Sequence, residues 1–206
     1  MNSIMKNFRL LLIFSLLFTS SFFAQPGTVL INHDFEASDD GWVGTNGGSG
    51  GCIFNKIPDP FGAGSNCWAQ NPFNYYGSFD GAYCASPAID MSNYVSMTFS
   101  IDVRYNTETN WDGMTIYYST DSWGTYNLLG AQGQGTNWFV SEVDGVNDRF
   151  GPITSDPDGW SGDNGGWETA TLPVPASLEG NPNVEFRVYF GSDGSVQDVG
   201  VAFENF

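Results

Sequence analysis

Hydrophobic and polar positions alternate in several stretches of the chain after residue 25. In residues 96–105 and 184–190 every second position is apolar or aromatic. A period of two is typical of a β-strand with one face in a core. Shorter stretches with strand character are 28–31, 114–119, 138–143, 168–172 and 201–203. No stretch after residue 25 has a convincing helical period, so the pattern predicts an all-β protein.

Turn residues separate these stretches. Asp-Gly pairs occur, for example, at residues 80–81, 112–113, 144–145, 158–159 and 193–194, and the chain has 26 glycines. Glycine supplies the positive φ angles that tight turns need. Short strands with Gly-rich turns and no intervening helices predict an antiparallel two-sheet β-sandwich of the jelly-roll kind. We expect it to form a single domain over residues 27–206.

The charge balance removes several classes of function. Six Lys and Arg stand against 23 Asp and Glu, which gives a formal charge of -17. Phosphate backbones and anionic lipid head groups would repel such a chain, so we expect neither nucleic-acid binding nor electrostatic docking to membranes. Hydrophobic residues make up 41% of the chain and charged residues only 14%, a composition typical of a globular fold.

The first 24 residues are typical of a secretory signal peptide. Lys6 and Arg9 precede an apolar run, residues 10–18, which is too short to span a bilayer, and the segment ends at Ala24. We therefore predict cleavage before Gln25, a secreted or cell-surface protein and no transmembrane segment. Residues 201–206 resemble a strand that is cut short, which predicts further domains of the same polypeptide.

Three cysteines, Cys52, Cys67 and Cys84, fit an oxidising compartment only in part. Any of three single disulfides can be drawn. We favour Cys52 with Cys67, because both border a Gly- and Pro-rich segment whose closure would contribute about 3 kcal/mol. The alternative is three buried thiols.

Catalytic motifs are missing from this sequence. His33 is the single histidine, so a zinc site with several histidine ligands cannot form. A Ser-His-Asp triad would have to use His33 as well. Pairs of carboxylates of the kind that glycosidases use arise by chance among 23 acidic residues. We predict no catalytic residue within this chain, and a complete acidic glycosidase is the weakest interpretation.

Calcium binding accounts for so many carboxylates better than catalysis does, because calcium prefers oxygen ligands on tight acidic turns. Asp34 and Glu36, beside the first predicted strand, could meet Glu204 on the last one if the terminal strands pair. Residues 156–163 offer a second candidate loop, which carries Asp156, Asp158 and Asp163. The alternative for this loop is an ordinary Asx-rich turn.

Seven tryptophans follow the leader, most of them beside Gly, Asn or Asp. Aromatic faces next to hydrogen-bonding loop residues are typical of sugar-binding sites. We take Trp123 and Trp160 as candidate ligand-binding residues. The alternative is that most of the tryptophans cover the ends of the sandwich and anchor its loops.

A series of short motifs resembles the MAM-like jelly-roll domains of secreted bacterial proteins, including those attached to immune inhibitor A-like metallopeptidases. In order, the motifs are D-F-E at 34–36, G-W at 41–42, S-P-A-I-D-M-S at 86–92, W-D-G at 111–113, Y-Y-S-T-D-S-W-G at 117–124, N-W at 137–138, G-W-S-G at 159–162 and F-R-V-Y-F-G-S-D at 186–193. The resemblance implies a MAM-like or galactose-binding-like β-sandwich with a structural calcium. It adds Asp112 as a metal candidate and matches Glu204 to the acidic end of the last strand.

The sequence thus predicts a non-catalytic extracellular module, stabilised by calcium, for adhesion or for binding a glycan or an extracellular protein. The main alternative is an accessory domain of a secreted metallopeptidase or polysaccharide-degrading enzyme whose catalytic domain lies outside this chain.

Overall fold

The computed structural model describes residues 29–47, 50–62, 64–70 and 75–206. Internal contacts divide the chain into Met1–Leu30 and Ile31–Phe206, and all described strands lie in the second unit. The leader predicted for residues 1–24 lies outside the described residues. Across the part of the chain that is described, no helix is both long and apolar enough to cross a membrane.

The chain forms twelve described strands and one short helix. In chain order they are β1 (Val43–Asn46), β2 (Phe54–Pro58), β3 (Asn66–Gln70), β4 (Gly81–Ala85), β5 (Thr98–Asn106), β6 (Gly113–Ser119), β7 (Asn127–Leu128), β8 (Ser141–Glu142), α1 (Asp144–Arg149), β9 (Asp158–Gly159), β10 (Glu168–Pro173), β11 (Glu185–Gly191) and β12 (Gly200–Glu204).

Ten of these strands build two five-stranded sheets. The front sheet has the order β1-β4-β11-β6-β7, and the back sheet has the order β10-β5-β12-β3-β2. β8 and β9 form a separate two-stranded pair. Every pairing is antiparallel. The predicted all-β fold with two antiparallel sheets is therefore confirmed.

The core lies between the two sheets. On β5 of the back sheet, Phe99, Ile101 and Val103 are buried, as the alternation of residues 96–105 predicts. Phe99 contacts Phe186 of β11 in the front sheet, with ring centroids 5.5 Å apart. Since side chains alternate along a strand, the positions between these residues must face outwards. On β11 that places Tyr189 on the outer face of the front sheet.

The two ends of the folded unit pair with each other. The backbone N–H of His33 donates to the carbonyl of Phe206 (2.9 Å), and the N–H of Phe206 donates back to the carbonyl of His33 (3.1 Å). The Trp42 Nε1–H donates to His33 Nδ1 (2.7 Å), and the Trp42 ring contacts that of Phe206 at 4.5 Å. Hydrogen bonds and aromatic packing thus tie both terminal segments to one end of the core.

Some local predictions were wrong. The strand predicted over residues 138–143 is only β8, and no strand forms over the described residues 29–31. Helix α1 and strands β1 to β4, β7 and β9 were not predicted. Strands β2 and β3 form a hairpin, with Phe54 opposite Gln70, in a segment that its Gly and Pro content made look like a loop.

The predicted Cys52–Cys67 disulfide is not formed, and all three cysteines are free, buried thiols. Cys52 Sγ donates to Gln70 Oε1 at 3.3 Å. Gln70 and Cys67 are three residues apart on β3 and therefore point to opposite faces of the back sheet. Cys67 packs with Ala69 and Ala202 on its own face. The two thiols are separated by the sheet and cannot reach disulfide geometry.

Candidate functional site

An apolar cluster covers the outer face of the front sheet. Tyr117 of β6 and Tyr189 of β11 are buried there with Val146 of α1 and Ile153. Half-buried Tyr126 packs against this cluster from the turn before β7. The helix and the segment after it therefore close over one part of the sheet and leave an edge beside it.

A cavity of about 350 Å³ lies at this edge. One wall is formed by Tyr117, Tyr126 and Leu128, and the other by residues 152–158. The second wall carries the polar side chains of Thr154, Ser155, Asp156 and Asp158. The volume falls at the lower end of the range for small-molecule sites, roughly 300–1,000 Å³.

Hydrogen bonds hold both carboxylates of the cavity in place. Asp158 Oδ2 accepts the backbone N–H of Gln132 at 2.8 Å. Asp156 Oδ1 accepts from Asn147 Nδ2 at 3.0 Å. Burial, together with the negative charge of Asp158, raises the pKa of Tyr117 to about 12, which keeps that phenol protonated. The cavity thus has tyrosines on one side, of which Tyr126 is half-buried and Tyr117 almost fully buried, and acceptor oxygens on the other.

Trp123, predicted to bind ligand, lies next to this cavity. Its ring centroid is 5.4 Å from that of Tyr126. The guanidinium of Arg187 lies over the Trp123 ring at 3.8 Å and over the Tyr83 ring at 4.7 Å. Arg187 covers one face of the indole, and Trp123 packs against Tyr126 without lining the cavity itself.

Trp160, the second predicted ligand-binding residue, does not reach the surface. Its exposed fraction is 0%, and its ring packs against those of Trp138 at 5.1 Å and Phe139 at 4.9 Å. Its Nε1–H donates to the carbonyl of Asn137 (2.8 Å). The prediction was wrong because a position beside Gly and Ser in a turn does not reveal that the indole points inwards. Trp160 belongs to the core.

Three carboxylates meet at a different place. Glu108, Asp112 and Asp193 each bring a carboxylate oxygen within 4.8 Å of the other two. Asp112 is fully buried, and the other two are half-buried. Burial raises the pKa of Asp112 to about 7, and the charges of Asp193 and Glu108 add to this, while the Asp193 N–H and the nearby Tyr76 hydroxyl oppose it. Among the described residues this is the one group of three or more candidate metal ligands.

The predicted metal set is not assembled as expected. Asp112 joins Glu108 and Asp193 rather than Asp34, Glu36 and Glu204. Asp34 Oδ1 accepts the N–H of Glu36, whose own carboxylate accepts the N–H of Asn66 at 2.7 Å. Glu204 Oε2 accepts from Ser65 Oγ at 2.5 Å. Burial and the nearby Asp102, Asp59 and Glu36 raise the pKa of Glu204, so acidic groups do gather there without forming a close ligand set.

The second predicted metal loop is also divided. Asp156 and Asp158 lie at the cavity, whereas Asp163 forms an ion pair with Arg104 (3.0 Å) and accepts the N–H of Gly165 (2.8 Å). Strand β9 extends the chain between them, so the three carboxylates do not converge.

No protein-family model matches the chain, and neither does any curated protein. Several solved structures are similar to it. One is a carbohydrate-binding module of the β-sandwich superfamily (9% identity, TM-score 0.49), where the match covers 84% of this chain and 58% of that one.

Two further similar structures are bacterial. The K1 cleaved adhesin domain of Lys-gingipain from Porphyromonas gingivalis W83 is 16% identical, with a TM-score of 0.44 and coverage of 85% of this chain and 94% of that one. The family 11 carbohydrate-binding module from Clostridium thermocellum, in complex with a β-1,3-1,4-mixed-linked tetrasaccharide, is 12% identical, with a TM-score of 0.43 and coverage of 86% and 95%. These comparisons do not confirm the MAM-like family. At these identities and TM-scores the similarity says nothing about ligands. Any argument about ligands must come from the geometry of the site.

Proposed function

We propose that this chain is a non-catalytic binding module that takes a neutral glycan in the cavity beside Tyr126. The observation that carries the proposal is the cavity itself. Tyrosine rings form one wall, and the other presents two fixed carboxylates and two hydroxyl side chains.

The two walls suit the two chemistries of a sugar. The C–H face of a pyranose packs against an aromatic ring, and its hydroxyls donate to carboxylate oxygens. Asp156 and Asp158 both accept hydrogen bonds from protein groups, so their positions are set before a ligand arrives. A site that is ordered in advance loses less conformational entropy on binding.

Charge selects among glycans. Two carboxylates line the cavity, and the chain carries a formal charge of -17. An anionic polysaccharide would be repelled at long range and would meet unpaired negative charge inside the cavity. The proposed ligand is therefore an uncharged polymer or oligosaccharide.

The location of the protein and its use of calcium are proposed from sequence features. The leader predicted for residues 1–24 supports export, and we propose that the module lies in the extracellular space or on the cell surface. We also propose that calcium stabilises the module, since acidic turns are frequent along the chain. The same binding role would serve an adhesin or an enzyme with an attached catalytic domain.

Affinity electrophoresis against neutral and anionic polysaccharides tests the glycan proposal. We expect retardation by at least one neutral polymer and none by anionic ones. Replacement Tyr126→Ala should weaken that binding by about 2 kcal/mol, or roughly thirtyfold, as expected for a central aromatic contact. The affinity can be read from the dependence of migration on polymer concentration.

Tyr94→Ala is the matched control, because Tyr94 is 37% exposed and is not part of the cavity wall. It should bind as the unmodified protein does. Equal losses in both variants, or no retardation by any neutral polymer, would remove the glycan proposal.

A further inference from the structure

The register of the front sheet brings two acidic loops together. β6 pairs with β11 so that Gly113 lies opposite Gly191. Asp112 immediately precedes the first of these glycines, and Asp193 follows the second by two residues. Glu108 lies in the same loop as Asp112, between β5 and β6. The three carboxylates therefore converge because of strand pairing.

Two buried oxygens in this cluster lack a partner. Oδ2 of Asp112 and Oε2 of Glu108 are both buried and have no partner within normal hydrogen-bond geometry among the described residues, although the Tyr76 hydroxyl lies near the Asp112 carboxylate. Asp112 as a whole is 0% exposed, and its Oδ1 accepts the N–H of Asp193 at 2.7 Å. A buried carboxylate oxygen without a partner is costly, and a bound ion is one of the few arrangements that explain it.

The loop that carries Glu108 and Asp112 cannot easily turn these oxygens towards solvent. The carbonyl of Asp112 accepts from Thr107 Oγ1 (2.8 Å) and from Ser161 Oγ (2.7 Å). The N–H of Asp112 donates to the carbonyl of Glu108 (3.0 Å). The N–H of Glu108 donates to the Tyr76 hydroxyl (3.2 Å). Both ends of the turn are held by groups from other segments, so the cluster is a built feature of the fold.

We infer that Glu108, Asp112 and Asp193 bind a calcium ion at this junction of the β5–β6 loop and the segment after β11. Two oxygens on opposite sides of a calcium ion lie at most about 4.6–5.2 Å apart, twice the usual Ca–O distance. The ligand atoms of the three carboxylates lie within 4.8 Å of one another. One ion can therefore contact all three.

The ligand chemistry favours calcium over other metals. All three groups are carboxylates, and no histidine or cysteine belongs to the cluster, so zinc and the softer transition metals are poorly served. Magnesium requires near-ideal octahedral geometry at about 2.0–2.1 Å, whereas calcium accepts irregular sets of six to eight oxygens. Loops from two separate parts of the chain suit the less demanding ion.

This inference specifies the calcium dependence in the proposed function but does not depend on glycan binding. The test is a comparison of melting temperatures of the full chain in EDTA, in CaCl₂ and in MgCl₂, with calcium affinity from isothermal titration calorimetry. We expect calcium a hundredfold above its dissociation constant to raise the melting temperature by roughly 5–10 °C. Magnesium at the same concentration should raise it much less.

Asp112→Asn and Asp193→Asn should each lose this calcium-dependent shift. The variants retain side-chain volume, so a folded protein without the shift is the expected result. Asp90→Asn is the control for removal of one negative charge, because Asp90 is exposed and bonds only to its neighbour Ser92 among the described residues. It should keep the full shift.

Three results would overturn the inference. They are no calcium binding by the unmodified protein, an undiminished shift in both site variants, and loss of the shift in Glu36→Gln or Glu204→Gln instead. The last result would place the ion at the paired terminal segments. A protein that binds calcium but no polysaccharide would keep this inference and remove only the glycan proposal.

Discussion

Replacement of Trp160 by alanine is expected to lower the free energy of unfolding by about 3–5 kcal/mol. The indole is fully buried and packs against Trp138 and Phe139, so alanine would leave a large cavity beside these two rings. The Asn137 carbonyl would also lose the hydrogen bond from Nε1. Loss of this size is a large part of the total stability of a single domain.

Urea unfolding followed by circular dichroism measures this effect. Trp160→Phe is the matched variant, since it keeps most of the ring volume and removes the Nε1 donor. We expect it to be destabilised by clearly less than the alanine variant. A Trp160→Ala protein that unfolds at the same urea concentration as the unmodified one but no longer binds glycan would show that Trp160 is a ligand contact after all.

Asp112→Asn is expected to stabilise the metal-free protein at pH 8 and above. Burial and the neighbouring carboxylates raise the pKa of Asp112 from an ordinary value of 3.8 to about 7. The folded state therefore holds its proton more tightly than the unfolded state does, and stability falls as the pH rises from about 4 to about 7. Asparagine removes this penalty.

The size of the effect has an upper limit. One pKa unit corresponds to about 1.4 kcal/mol, so the difference between 3.8 and about 7 amounts to about 4 kcal/mol at most. We expect a gain of about 2 kcal/mol for Asp112→Asn at pH 8 in EDTA, and almost none at pH 4. Urea unfolding at both pH values measures it.

Saturating calcium should reverse the order of stability, because only the unmodified protein binds the ion tightly. A variant that is less stable than the unmodified protein in EDTA at both pH values would contradict this view of Asp112.

Strands β5 and β11 could be predicted because apolar and polar side chains alternate along them. On β5, Phe99, Ile101 and Val103 face the core and polar residues face outwards. On β11 the same pattern holds, although the outward Tyr189 is itself buried by α1. Alternation therefore indicated the strand correctly but could not show what covers its second face.

Strands in the first half were not predictable from the same pattern. β3 is buried at four successive positions, Cys67 to Gln70, because packed groups cover both of its faces. β1 has only four residues, β4 is rich in Gly and Ala, and β2 contains Pro58. These strands are stabilised by their neighbours in the sheets, which is tertiary information that a local period does not contain.

The acidic cluster was predicted only through Asp112. Glu108 and Asp193 were not identified, because their closeness depends on the register between β6 and β11. A signal did exist, since the Asp-Gly pairs at 112–113 and 193–194 flank two of the predicted strands, 114–119 and 184–190. Knowledge that these strands are neighbours would have been needed to use it.

The cavity was indicated even less directly. Trp123 was predicted to bind ligand and lies beside the cavity, but Tyr126 and residues 152–158 belong to no sequence motif that indicates a binding site. They become a site only when α1 and the segment after it close over the outer face of the front sheet. Pockets of this kind depend on loop packing, which composition does not encode.

The proposed glycan site lies between Tyr126 and residues 152–158. The most direct measurement is ¹H–¹⁵N chemical-shift mapping, with a short oligosaccharide cut from the neutral polymer that gives the strongest retardation. We expect the largest shifts at Leu128 and at the amides of residues 153–156 and 158, with little change at Glu108, Asp112 and Asp193. Shifts centred on another surface, or no saturable shift at all, would contradict it.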